Sequence, residues 1–165
     1  MNYEIREMQA TDGDQVIAIF EEGIAGGNAT FDPTAPNWEG WDQKYFNICR
    51  FVLENESGDI VGWAALQPVS TRDCFKGVAE VSIYLANSVQ GKGLGSMLLK
   101  KLILDSEEHD FWTLQAGIFP ENEASIYVHK KYGFREVGYR EKIGEMNGVW
   151  RDIIFLERRS KIVGV

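Results

Sequence analysis

The sequence predicts a mixed α/β sheet of about seven strands folded as one domain over residues 1–165, and three observations carry that prediction. Glu80 to Leu104 passes from a β-branched and aromatic stretch, through a glycine-rich turn, into apolar residues at helical spacing. That is the first half of a β-α-β crossover. Phe51 to Glu54 and Ile60 to Leu66 flank Asn55-Glu56-Ser57-Gly58-Asp59, whose composition marks a hairpin. Arg135 to Lys142 and Val149 to Leu156 flank Gly144-Glu145-Met146-Asn147-Gly148 and mark a second, terminal one.

In chain order, Tyr3 to Met8 alternates as a first strand, and Thr11 or Asp12 then caps a helix running to about Gly23. Val16, Ile17, Ile19 and Phe20 form its buried side. Gly23 to Pro36 is dense in breakers and reads as a loop. A second helix is expected from about Asn37, carrying Trp38, Trp41, Tyr45 and Phe46 at helical spacing. Residues 69–76 read as a polar loop before the central strand, Val81 to Leu85, with Glu80 at its start. Leu94, Met97, Leu98, Leu102 and Ile103 give the central helix its apolar side. Phe111 to Ile118 is the following strand, and Pro120-Glu121-Asn122 opens a helix to about Lys131 that Gly133 closes.

Composition narrows the function class. A net charge of −8 argues against general nucleic-acid binding, because neutralising phosphates needs a basic face. Cys49 and Cys74 are too few for a disulfide framework and have no metal-type spacing, so no metal is expected. The N-terminal Met-Asn-Tyr-Glu-Ile-Arg holds no apolar signal core, and no apolar run approaches membrane-spanning length. The expectation is a cytoplasmic protein with reduced thiols and no membrane partner.

The turn Gln90-Gly91-Lys92-Gly93-Leu94-Gly95 sits between strand and helix. Free N–H groups of the first helical turn and the helix dipole make such a place a ready anion site. A Walker A loop is excluded because Gly93, not Ser or Thr, follows Lys92. The dinucleotide fingerprint fails at Ser96, where it needs glycine. The pattern that fits is Gln-x-x-Gly-x-Gly directly after a strand. It resembles the pyrophosphate-binding signature of the Gcn5-related N-acetyltransferases.

Two further residues stand out as chemistry-bearing. Glu80 is followed by seven residues with no other charge; it reads either as a carboxylate placed to accept a proton or as a strand-end side chain facing solvent. Asn122, Ser125, His129 and Gly133 share one helix face. His129 reads as catalytic or as a packed structural histidine, whereas His109, beside Glu107, Glu108 and Asp110, reads as solvated.

Longer blocks make the resemblance specific. Glu80 to Leu99, Thr113 to Asp152 and the Gly27-Asn28-Ala29-Thr30-Phe31 loop are similar to the phosphinothricin and methionine sulfoximine acetyltransferase branch of that superfamily. The resemblance implies a mostly antiparallel sheet with helices on both faces, and acetyl-CoA as co-substrate. It implies that Ile83, Tyr84 and Leu85 hold the pantetheine arm through backbone groups. Gln90, Gly91, Lys92, Gly93, Leu94, Gly95 and Ser96 would wrap the pyrophosphate, and Asn122 and Ser125 would contact the coenzyme. Glu80 matches the general base, and His129 falls where many members carry a tyrosine that protonates the leaving thiolate. Phe31, Arg72, Asp73, Phe75, Tyr84 and Asn147 are the implied substrate contacts, with Arg72 binding a carboxylate.

Two departures bear on the substrate. Ser70 stands where the family often has a second basic residue, and Phe75 stands where a tyrosine is common. Loss of a cation and a hydroxyl should weaken or redirect amino-acid recognition. The expected activity is acetylation of the amino group of a small amino-acid-like substrate. Alternatives are acetylation of a polyamine or aminoglycoside, and a coenzyme-binding sensor without turnover. Trp150 and Arg151, late in the terminal hairpin, read as an exposed anchor pair at a sheet edge or as core. The resemblance implies a homodimer with Asn147 approaching the neighbouring subunit's pocket.

Overall fold

The computed structural model describes residues 2–165. Seven strands form one sheet: β1 (Tyr3–Glu7), β2 (Phe51–Asn55), β3 (Ile60–Pro68), β4 (Val78–Leu85), β5 (Thr113–Ile118), β6 (Arg135–Met146) and β7 (Val149–Arg159). Their spatial order is β1-β2-β3-β4-β5-β7-β6. The one parallel pair is β4 with β5, and all other neighbours are antiparallel. Four α-helices pack on the sheet: α1 (Gly13–Gly26), α2 (Trp38–Lys44), α3 (Leu94–Glu108) and α4 (Glu123–Lys131). No helix among the described residues is long and apolar enough to cross a membrane.

The pleat assigns the helices to two faces. Trp63 and Tyr84 are cross-strand partners on one face, and the Phe20 ring of α1 lies 5.9 Å and 4.8 Å from them. Trp41 of α2 meets Trp63 edge-on at 5.2 Å. Their neighbours Gly62 and Leu85 point the other way, where Leu98 of α3 lies against them. Trp41, Trp63, Phe20, Leu98 and Leu99 are fully buried. Each such side chain contributes roughly 1.5–3 kcal/mol of burial free energy, so this double-sided packing holds the sheet centre rigid.

Several element boundaries differ from expectation for identifiable reasons. Helix α1 does not stop at Gly23, which is a close-approach site: a Cβ there would stand 2.7 Å from the Tyr84 ring. It ends at Gly27, whose φ of 80° gives the left-handed cap. Helix α2 begins as expected at Asn37, whose side chain accepts from the Gly40 N–H at 2.9 Å. It lasts only seven residues, and Tyr45 and Phe46 pack from extended chain beyond it. Strand β4 begins at Val78, so Glu80 lies inside the strand rather than at its start. Strand β5 begins at Thr113, with Phe111 buried against Phe46 instead. The terminal hairpin closes on Asn147 and Gly148 alone, at φ of 53° and 78°, the backbone of a tight two-residue turn.

Candidate active site

The parallel ladder is short. Val78, Ala79 and Glu80 pair with Thr113, Leu114 and Gln115, and there the pairing ends. Strand β4 continues through Leu85 and β5 through Ile118 without each other as partners. Their outer edges stay paired to β3 and β7, so the two strands part as a wedge whose β4 side presents unpaired backbone groups. A cavity of about 370 Å³ occupies this wedge.

Glu80 sits at its base. Gln67 Nε2 donates to Oε1 at 2.7 Å and Gln115 Nε2 to Oε2 at 3.5 Å, so amides on both flanking strands direct the half-buried carboxylate. The roof comes from the loop after α1, where Phe31 meets Phe119 edge-on at 4.8 Å. Lys44 and Tyr45 add a wall, with Lys44 Nζ paired to Asp32 at 3.2 Å and the Tyr45 hydroxyl donating to Ser82 Oγ at 3.2 Å. Burial pushes the Tyr45 phenol up to about 12 and that of Tyr84 higher still. Both stay protonated as donors.

His129 closes the α4 side of the cavity and is only 5% exposed. Its Nδ1 lies 2.8 Å from the Ser125 carbonyl, so that nitrogen carries the proton and donates. Nε2 is buried without a partner among the described residues. Burial lowers the imidazole pKa below its ordinary value, against a weaker opposing effect of the Ser125 carbonyl. The ring is therefore neutral at pH 7 and offers an acceptor lone pair at Nε2.

At the outer end of β4, Gly91 and Gly93 have φ of 76° and 77°. Nothing lies within 4 Å of where their Cβ atoms would be, so it is backbone conformation that calls for glycine there. Gly93 is the N-cap of α3 and supplies no side-chain cap, which leaves first-turn N–H groups open beside exposed Lys92. Wedge, open helix end and orphaned imidazole together suit an extended ligand with an anionic end.

Comparison with known proteins agrees with this geometry. Residues 17–134 match the acetyltransferase (GNAT) family. The chain belongs to the GNAT acetyltransferase family. It is 31% identical over 158 residues to YwnH of Bacillus subtilis (strain 168), covering 93% of this chain and 97% of that one. It is 27% identical over 162 residues to the L-methionine sulfoximine/L-methionine sulfone acetyltransferase of Pseudomonas aeruginosa PAO1, covering 95% and 94%. Among solved structures, a GNAT phosphinothricin acetyltransferase from Sinorhizobium meliloti in complex with acetyl-CoA superposes with a TM-score of 0.90 at 27% identity. That match covers 99% of this chain and 91% of the other.

Within this GNAT fold the expected residues separate into groups. Phe31, Glu80, Ile83, Tyr84, Asn122, Ser125 and His129 line the one cavity. Asn122 is partly engaged: its Oδ1 accepts from the Ser125 N–H at 3.2 Å, capping α4, and its Nδ2 donates to the Asn28 carbonyl at 3.2 Å. Leu85 and the segment Gln90–Ser96 lie further along β4 and at the head of α3. Arg72, Asp73 and Phe75 do not line the Glu80 cavity. Arg72 and its neighbours border a smaller depression with Pro68 and Val78, and the guanidinium lies 5.2 Å from the Phe75 ring. Asn147 is at the exposed hairpin tip, away from the cavity of its own chain.

The Trp150–Arg151 pair is corrected. Trp150 is 62% exposed, but Arg151 turns inward and ties the roof loop to the rest of the molecule. Its guanidinium donates to the Gly27 carbonyl at 2.9 Å and to Asn28 Oδ1 at 2.7 Å, and pairs with Glu121 at 3.3 Å. The hairpin lies at the sheet edge as expected, but its edge strand is β6, and Trp150 and Arg151 stand on the interior strand β7.

Sequence reading missed Gln67, Gln115, Gly144 and Arg140. Nothing local distinguishes two strand glutamines, although the β3–β4 register would have placed Gln67 opposite Glu80. It also missed that Cys49, Asp105 and His109 converge, their ligand atoms within 4.8 Å of one another. There His109 Nδ1 faces the Asp105 carbonyl at 2.9 Å, and burial raises the Cys49 thiol pKa. The Cys49 thiol and His109 Nδ1 both carry protons, so these two are not poised as cation ligands.

Proposed function

We propose that this chain is an acetyl-CoA-dependent N-acetyltransferase for the amino group of a small, amino-acid-like amine of the phosphinothricin or methionine sulfoximine type. The observation that carries the reading is Glu80, directed by Gln67 and Gln115 into the base of the β4–β5 wedge, with the acceptor face of His129 in the same cavity. Acetyl-CoA supplies a thioester whose carbonyl carbon an amine nitrogen can attack.

The wedge fits this co-substrate. The unpaired edge of β4 at Ile83, Tyr84 and Leu85 offers backbone groups to an amide-bearing arm and an N–H to a developing oxyanion. Gln90 to Ser96 receives the pyrophosphate at the head of α3. Glu80 takes one proton of the substrate ammonium, and the freed lone pair forms the new C–N bond as the C–S bond breaks. The second proton that the nitrogen sheds neutralises the departing thiolate, which leaves as coenzyme A. Holding both reactants in one cavity removes much of the entropic barrier.

His129 acts first as an acceptor. With its proton fixed on Nδ1, it cannot donate from Nε2 unless it becomes an imidazolium, which burial opposes. It therefore takes a hydrogen bond from the coenzyme side and orients it. Phe31 packs on the amine substrate, whereas Arg72, which the resemblance assigns to a carboxylate, borders with Asp73 and Phe75 the separate depression beyond Pro68. We place the protein in the cytoplasm as a homodimer, with Asn147 approaching the neighbouring pocket.

The test is a panel of amines scored by coenzyme A release, with mass measurement of the protein in solution. Methionine sulfone or phosphinothricin should release thiol well above the hydrolysis background. Thermal stabilisation by acetyl-CoA with no release for any amine would point to a sensor instead. A monomeric mass at assay concentration would remove the shared-pocket arrangement.

A further inference from the structure

The cavity that holds Glu80 is lined by two cations, Lys44 and Arg140. They differ in their partners. Lys44 is paired with Asp32 at 3.2 Å. Arg140 has no ion-pair partner among the described residues, and its guanidinium lies 6.0 Å from the Phe155 ring, itself part of the lining. Arg72 borders the separate depression beyond Pro68.

Register puts Arg140 on the face that carries Glu80. A Cβ at Gly117 would stand 3.2 Å from Ile153 Cγ2, so that position and Ile153 share a face. Gln115, two residues earlier in β5, points the same way and reaches Glu80. Arg140 is the direct cross-strand partner of Ile153 in the antiparallel β6–β7 pair, and therefore projects from that face too. Glu80 and Arg140 line the same cavity, with Gly117, Ile153 and Phe155 between them on its floor.

We propose that Arg140 is the substrate-anion anchor, binding the carboxylate of the amine substrate while Glu80 addresses its amino group. This inference rests on the acetyltransferase reading above. An α-amino acid carries its anion beside the reacting nitrogen, so a base for the amine needs a cation placed apart from it. A guanidinium suits the task because its planar fork pairs with both carboxylate oxygens. Arg140 comes from the edge strand, next to the register shift between Arg140 and Gly144.

The test compares methionine sulfone with its decarboxylated amine in steady-state acetylation by wild type, Arg140→Gln, Arg140→Lys and Arg72→Gln. For Arg140→Gln, kcat/KM should fall about 10- to 100-fold for the carboxylate-bearing amine, mainly through KM, and less than about 3-fold for the decarboxylated one. Arg140→Lys should recover part of the loss, since a point charge replaces the fork. Equal losses for both amines, or discrimination that disappears only in Arg72→Gln, would overturn the assignment while leaving the acetyltransferase reading intact. Failure of wild type to acetylate either amine would defeat the underlying reading and this inference with it.

Discussion

Gly144 lies against the ring of Phe31, so closely that a Cβ at position 144 would stand 2.6 Å from Phe31 Cε1. A residue of the edge strand thus sets the height of the cavity roof, 113 positions away in sequence. Gly144→Ala should push Phe31 out of its contact with Phe119 and widen the amine side of the cavity. We expect KM for the amine to rise about 5- to 50-fold with little change in coenzyme affinity. Unchanged KM would mean that Phe31 does not shape the substrate site.

Replacing Glu80 by Gln keeps the side chain's shape, with one flanking amide turned to accept from the new amide N–H, and removes the base. Turnover at pH 7 should drop by about 10²–10⁴, the range of general-base contributions, while acetyl-CoA binding holds. Part of the loss should return at high pH, where the amine deprotonates by itself. A pH-rate profile parallel to wild type would assign the proton transfer to a water instead.

For His129, the sign of the pH dependence follows from its lowered pKa. As pH falls below the ordinary histidine value of about 6.5, the unfolded chain takes up a proton that the folded protein resists. The stability linked to His129 is therefore fully present above that value and is lost as pH falls toward the folded pKa. Urea midpoints measured from pH 7.5 to 5 should decline, and His129→Phe should flatten that decline while slowing acetyl transfer. Identical slopes in the two proteins would show that the ring is not held neutral.

Gly93 adopts φ of 77° at the head of α3, a conformation that Asp tolerates better than most residues. Gly93→Asp should therefore fold, yet set an anion where the pyrophosphate is to bind. The thermal shift produced by acetyl-CoA at about 100 times its wild-type Kd corresponds to about 2.7 kcal/mol of stabilisation, and the substitution should abolish it. A full shift in the variant would relocate the anion site.

Element types and their order were legible because they rest on local chemistry. Apolar periodicity, a helix start near Asn37, Asn55 to Asp59 as a turn, and glycines between strand and helix act over a few residues, and the structure retains each of them. Gly23 shows where local reading failed. It looked like a helix stop, but its small size serves the Tyr84 ring 61 residues away. For Arg151 the sequence left open an exposed or a buried place, and folding settled it beside Gly27 and Asn28.

By itself, then, the sequence determined that Glu80 would stand on a central strand ahead of a phosphate-type turn, and that His129 would share a helix face with Asn122 and Ser125. Periods of 2 and 3.6 residues decide such things without reference to distant chain. Only the tertiary structure decided which amides hold Glu80, which imidazole nitrogen is left open, and that Arg140 rather than Arg72 enters the Glu80 cavity. Those outcomes depend on strand register and on where β4 and β5 part, and register is set by the packing of whole faces.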